Sequence, residues 1–93
     1  MIKSFADSST ENLFKGIRPR KLPNDIWRRG NRKLLMLHAA TDLSELLIPP
    51  GNRLEKLKGD RDSQHSIRIN DQWRVCFEWR EGNAYQVEIT DYH

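Results

Sequence analysis

The sequence predicts an α+β fold, with helices first and an antiparallel meander after them. Three observations carry this. Apolar residues recur at a helical period between Asn24 and Thr41. After Pro49-Pro50-Gly51 the period changes to two, over three successive stretches. The chain has 93 residues, 37% hydrophobic and 31% charged, which is enough for one small core. The helices therefore have only the sheet to cover, and 1–93 reads as a single domain.

Taken in order, Ile2 to Phe5 reads as a short edge strand. Ser8-x-x-Glu11 has the form of a capping box, and a helix is expected from about Ser9 to Lys15, with Gly16 ending it. Gly16 to Pro23 is a loop broken by Pro19 and Pro23. It carries Arg18, Arg20 and Lys21 and little apolar surface, so it is expected to be mobile until a partner orders it. The main helix runs from Asn24 to about Thr41. Ile26, Trp27, Leu34, Leu37 and Thr41 share one sector, while Arg28, Arg29, Arg32 and Lys33 fall mostly on the other side. Gly30 weakens this helix by up to ~1 kcal/mol unless close packing offsets it. Asp42 to Leu47 adds a helical turn, ended by the prolines.

Three strands follow. Ile67 and Ile69 alternate with Ser66, Arg68 and Asn70. Trp73, Val75, Phe77 and Trp79 alternate with Arg74, Cys76, Glu78 and Arg80. Tyr85, Val87 and Ile89 alternate with Gln86, Glu88 and Thr90. Turns are placed at Asn70-Asp71-Gln72 and Glu81-Gly82-Asn83. The helices cover the apolar face, and the polar face is left open.

Charge narrows the function classes. The net charge is +3, and eight of the 16 basic residues lie between Lys15 and Lys33, beside the single acid Asp25. Such a stretch suits nucleic-acid phosphates, an acidic protein partner, or simple solvation. No apolar run approaches the ~18 residues of a membrane span. The start, Met1-Ile2-Lys3-Ser4-Phe5, lacks an apolar signal segment, so a cytoplasmic location is expected. Cys76 is the one cysteine, which excludes an internal disulfide and a cysteine-cluster metal site. On the polar sheet face, parity brings Arg68 and Arg74 together across a tight turn. Two guanidinium groups on a rigid sheet suit phosphate recognition, and a cross-strand salt bridge to Glu78 or Glu88 is the competing reading.

The second half also carries a series of blocks: Leu57-Lys58-Gly59-Asp60-Arg61, then Ser66-Ile67-Arg68-Ile69-Asn70, then Gln72-Trp73-Arg74-Val75-Cys76-Phe77, and finally Asp91-Tyr92-His93. In this order they closely resemble the HigB-type toxins of bacterial toxin–antitoxin modules, also called plasmid maintenance system killer proteins, within the RelE superfamily. The resemblance implies an α+β fold with two N-terminal helices packed on a curved antiparallel sheet, and a ribosome-dependent endoribonuclease that cuts mRNA in the decoding site. It implies neutralisation by a cognate helix-turn-helix antitoxin of the HigA type, with operator DNA bound only through the toxin–antitoxin complex. No cofactor and no metal are implied.

RNA supplies its own nucleophile, the 2′-OH. Cleavage needs that hydroxyl deprotonated, the phosphorane charge stabilised and the 5′-oxygen protonated. His93 is the first candidate for acid/base work, because its ordinary pKa of ~6.5 allows either proton state near neutrality. Asp91 can orient it, and Tyr92 can stack on a base or donate its hydroxyl. Lys58, Arg61, Arg68 and Arg74 are the candidates for holding the phosphate and the phosphorane. Lys58 and Arg61 rest mainly on the resemblance. Some HigB toxins carry a histidine two residues before the Leu-Lys-Gly-Asp block, where this chain has Glu55. A two-histidine mechanism copied from such relatives lacks its histidine at this position, and Glu55 or His65 stands as an alternative base. The parity of His65 matches Ile67 and Ile69, which argues for the apolar face. His38 and Cys76 read as structural. The runner-up function is a non-catalytic module that blocks translation by occupying the ribosome.

Overall fold

The computed structural model describes residues 1–59 and 63–91. Helix α1 spans Ser8–Phe14 and α2 spans Trp27–Ala39. Four strands follow: β1 Glu55–Lys56, β2 Gln64–Arg68, β3 Trp73–Arg80 and β4 Asn83–Asp91. They form one sheet in the order β1-β2-β3-β4, every pair antiparallel. Both helices pack on the sheet's apolar face, around fully buried Ile26, Leu34, Leu37, Leu46, Ile67, Val75, Phe77 and Val87.

The N-terminal segment is a parallel flank on β4. Ile2 bridges Ala84 and Phe5 bridges Val87. Lys3 N–H donates to the Ala84 carbonyl at 2.8 Å, and Val87 N–H donates to the Ser4 carbonyl at 3.1 Å.

Helix α1 starts one residue earlier than expected because Asp7, not Ser8, caps it. The Asp7 carboxylate accepts from Thr10 N–H at 2.7 Å, which satisfies one of the free donors of the first turn. Thr10 is fully buried, and its hydroxyl oxygen accepts from Ile89 N–H at 2.9 Å, tying α1 to β4.

The main helix opens with a 3-10 turn, Asn24–Ile26, and stops at Ala39, short of Thr41. Its end is set by the next turn. Asp42 and Glu45 form a capping box for a 3-10 helix over Leu43–Leu47, and the Glu45 carboxylate accepts from Thr41 N–H and Asp42 N–H. That pulls Thr41 out of the helix and into solvent, off the apolar sector where the periodicity put it. Gly30 has its packing reason. A Cβ there would lie 2.9 Å from Leu13 Cδ2 and 3.5 Å from Ile89 Cδ1, where both helices meet the sheet. One residue on, Asn31 donates to the Leu13 carbonyl at 2.8 Å.

The β3–β4 hairpin turns through Glu81 and Gly82, both at positive φ, as a two-residue turn of this twist requires. Beyond it the register shifts. Glu78 pairs with Tyr85, but Cys76 pairs with Glu88, so β4 holds one extra residue opposite Phe77. Gln86 absorbs it at φ 52°. The bulge reverses parity at the start of β4: Ala84 enters the core, and Tyr85 turns to the polar face under the Arg80 guanidinium, 4.1 Å from its ring. The sequence parity, which gave Tyr85 to the apolar face, is corrected here.

The polar face is not fully open either. Ser66 and Cys76 are completely buried on it, and Arg74 is only 8% exposed. The segment leading into β1, with Arg53 in a left-handed conformation, closes over this part of the sheet and binds Arg74.

Candidate functional site

Arg68 and Arg74 are direct cross-strand partners on β2 and β3. The connection between them is tight: the Asn70 side-chain oxygen accepts from Gln72 N–H at 2.9 Å and from Trp73 N–H at 2.8 Å. This Asx-type turn fixes both arginines at one end of the sheet. They line a polar cleft of about 380 Å³ together with Arg53, Glu55, Asn70 and Asp71.

The two arginines are held very differently. Arg74 Nε donates to the Ser66 hydroxyl at 2.8 Å, and Nη2 donates to the Arg53 carbonyl at 2.5 Å and to the Ser66 carbonyl at 3.3 Å. The guanidinium is thus locked in a neutral cradle, with no carboxylate partner among the described residues. Its charge is available to an anion in the cleft. Arg68 pairs instead with the exposed carboxylate of Asp71, a residue of the same turn. An exposed pair of this kind contributes ~0–1 kcal/mol, so an incoming phosphate can displace it.

Asp91 reaches the same end of the sheet. It stands opposite Trp73 at the end of β4, and its carboxylate accepts from Gln72 Nε2 at 2.9 Å. Tyr92 and His93 follow it directly and, like Arg61, lie outside the described residues. Glu55 is exposed on β1, opposite Ser66, and its side chain lines the cleft. Lys58 is exposed but does not line it. It lies three residues beyond Glu55, roughly 10 Å along an extended chain.

His65 does not join this group. It alternates with Ser66 and so faces the apolar side, where its ring stacks on Phe77 at 6.2 Å. Its Nδ1 is buried without a hydrogen-bond partner among the described residues. Burial, and secondarily the Lys56 charge, hold its pKa below the usual histidine value. The strand's period of two, which argued for the apolar face, decides against His65 as a base in the cleft. His38 is structural: its Nδ1 accepts from Ile2 N–H at 3.1 Å.

The loop carrying Arg18, Arg20 and Lys21 connects the helices, and none of the three lines the cleft. It is anchored more firmly than its composition suggests. Pro19 and Leu22 are buried, Leu22 joins the core, and the Leu22 carbonyl accepts from Trp27 Nε1 at 3.1 Å. Arg18 lies 5.4 Å over the Trp27 ring. Arg20 and Lys21 remain exposed.

Sequence reasoning missed Arg53, Asn70 and Asp71 as cleft residues. Asn70 and Asp71 sit in a turn that was recognised, and an Asn at the head of such a turn was the available signal. Arg53 carried none, because only the chain reversal at Pro50–Asn52 brings it over the sheet.

A family model described as the RelE-like toxin of type II toxin–antitoxin system HigB matches residues 3–93. Toxin HigB-1 of Vibrio cholerae serotype O1 (strain ATCC 39315 / El Tor Inaba N16961) is 41% identical over 90 residues, covering 96% of this chain and 95% of the relative. Endoribonuclease HigB of Proteus vulgaris is 37% identical over 98 aligned positions, with both chains fully covered. The crystal structure of a point mutant of YafQ from E. coli superposes with a TM-score of 0.65, over 98% of this chain and 91% of that one. At 10% identity this likeness speaks to the fold alone. With the family match spanning nearly its whole length, the chain belongs to the HigB-like toxins, the RelE-like toxins of type II toxin–antitoxin systems.

Proposed function

We propose that this toxin is a ribosome-dependent endoribonuclease that cleaves mRNA and so stops translation. The observation that carries the reading is the pairing of Arg68 with Arg74 in a polar cleft, at the sheet end that Asp91 also reaches. The 2′-OH attacks the adjacent phosphorus while a base takes its proton. The P–O5′ bond then breaks as an acid protonates the 5′-oxygen, leaving a cyclic phosphate and a free 5′-OH. Arg74, fixed before substrate arrives, supplies charge to the phosphorane without reorganising. Arg68 exchanges Asp71 for the phosphate. His93 serves as the acid, Asp91 sets its orientation, and Tyr92 stacks on or hydrogen-bonds the nucleotide. Glu55, which lines the cleft, serves as the base. Lys58, Arg61, Arg18, Arg20 and Lys21 add contacts to the message or to ribosomal RNA.

A type II toxin has an antitoxin partner. Its HigA-like helix-turn-helix character, the contact with operator DNA through the complex, and the cytoplasmic location belong to the same proposal. Among the described residues no helix is long and apolar enough to cross a membrane.

The test is mapping of mRNA 5′ ends on programmed ribosomes. His93→Ala is expected to lower cleavage by about 10²–10⁴, or ~3–5 kcal/mol of barrier, with the fold intact. Arg68→Ala is expected to lose cleavage while still binding the antitoxin. Full cleavage by a folded His93→Ala protein removes His93 from the mechanism. Translation arrest without new 5′ ends in the unmutated toxin establishes blocking by occupancy instead.

A further inference from the structure

Next to the cleft lies a second cavity, of about 230 Å³, lined by Arg29, Arg32, Lys33, Gly51, Arg68 and Ile69. Four of its six residues are cationic and none is acidic. Arg29, Arg32 and Lys33 are spaced i, i+3 and i+4, so α2 stacks all three on one flank, where like charges repel. Among the described residues none of the three has an ion-pair partner. Burial first, and then the charges of Arg29 and Arg32, lower the Lys33 pKa.

The position of Lys33 is built. Its ammonium donates to the side-chain oxygen of Asn52, which is fully buried. Asn52 is oriented in turn by its amide nitrogen, which donates to the carbonyls of Leu46 at 3.1 Å and Ile48 at 3.4 Å. The mouth of the cavity is open at Gly51, where an added Cβ would meet nothing within 4 Å.

Arg68 lines both this cavity and the cleft, so the two are neighbours. Apart from buried Ile69 the lining offers no apolar anchor of the kind that holds a protein partner. It suits a small, strongly charged oxyanion. We propose that Arg29, Arg32 and Lys33 form a second phosphate subsite, which grips the backbone of the message strand beside the phosphate held by Arg68 and Arg74. This rests on the reading of the cleft as the seat of RNA cleavage. The subsite threads the strand from the sheet onto α2 and sets the minimum length of a well-bound substrate.

The test uses 2′-O-methyl RNA, which binds but cannot react, as a trinucleotide and as an octanucleotide. Affinities are measured between about 50 and 200 mM salt for the unmutated toxin, for Arg68→Ala, and for the triple variant Arg29→Gln, Arg32→Gln, Lys33→Gln. At ~0.7 per contact, losing three contacts flattens the log–log salt slope for the octanucleotide by about two units. Over that fourfold salt range the unmutated toxin then loses roughly 20-fold more affinity than the triple variant. Trinucleotide binding is expected to stay unchanged in the triple variant and to fall in Arg68→Ala. An unchanged octanucleotide slope in a folded triple variant overturns the subsite alone. So does loss confined to empty ribosomes, which assigns the cluster to ribosomal RNA, or loss confined to the antitoxin, which makes it a protein-docking face. If Arg68→Ala leaves both oligonucleotides unaffected, the cleft reading itself fails.

Discussion

Replacing Arg74 should unfold part of what replacing Arg68 merely disarms. In Arg74→Ala three hydrogen bonds are lost, to the Ser66 hydroxyl, the Ser66 carbonyl and the Arg53 carbonyl. At about 0.5–1.5 kcal/mol each, with Ser66 left buried and lacking a donor, the loss is about 2–4 kcal/mol. For a domain of this size each kcal/mol lowers Tm by roughly 4–8 °C, so the expected drop is roughly 8–32 °C. Arg68→Ala breaks only an exposed pair with Asp71, and its Tm should stay within about 5 °C of the unmutated protein. Arg74→Lys keeps the charge but not the planar fork, so it should melt between the two. Thermal unfolding followed by circular dichroism reads all three, and cleavage is expected to fall in all three. If Arg74→Ala melts within about 5 °C of the unmutated protein, the cradle contributes no stability, and Arg74 is then not fixed in advance for catalysis.

His65 makes stability depend on pH with a definite sign. Its folded pKa lies below the unfolded value, so its contribution is complete above ~6.5 and is lost as pH falls from there toward the folded value. In urea unfolding, His65→Phe should lose less stability than the unmutated protein between about pH 7.5 and 5.5, and an equal or greater loss contradicts the burial argument. Gly30→Leu should destabilise by ~1–3 kcal/mol or more, because even a Cβ there crowds Leu13 and Ile89. A variant as stable as the parent would show that the helix–sheet junction is not close-packed.

The strand parities of β2 and β3 were legible in the sequence because each is a run of alternating residues without irregularity. That alone located Arg68 and Arg74 on one face, and the family blocks pointed to Asp91. The parity of β4 was not legible before Val87. Its bulge rests on Gln86 adopting a left-handed backbone, and glutamine gives no composition signal for that. Strand β1 is two residues long, too short to show any period. The start of α1 was misplaced by one residue because Asp7 and Ser8 are both competent caps, and only the geometry at Thr10 chooses between them. The burial of Arg74 was hidden for a different reason. Parity tells which way a side chain points, but the lid over it comes from Arg53, 21 residues away.

The seating of Ile2 to Phe5 against β4 imposes an order on folding. Lys3, Ser4 and Ala6 have no backbone partner until Ala84 and Val87 exist to receive them. The buried hydroxyl of Thr10 likewise waits for Ile89, 79 residues downstream. Helix α1 can meet α2 on a growing chain, but its seating is complete only when β4 arrives. The β2–β3 hairpin cannot close the core by itself either, since β4 lies between it and the N-terminal segment. Such long-range closure slows folding relative to a bundle of similar size. A nascent chain that stops before Asn83 leaves the N-terminal segment unpaired and bares the edge of β3, a surface that invites self-association or chaperones. The two ends of the molecule are thus a single cooperative element, and the arginine pair at the cleft stands on scaffolding that the last strand completes.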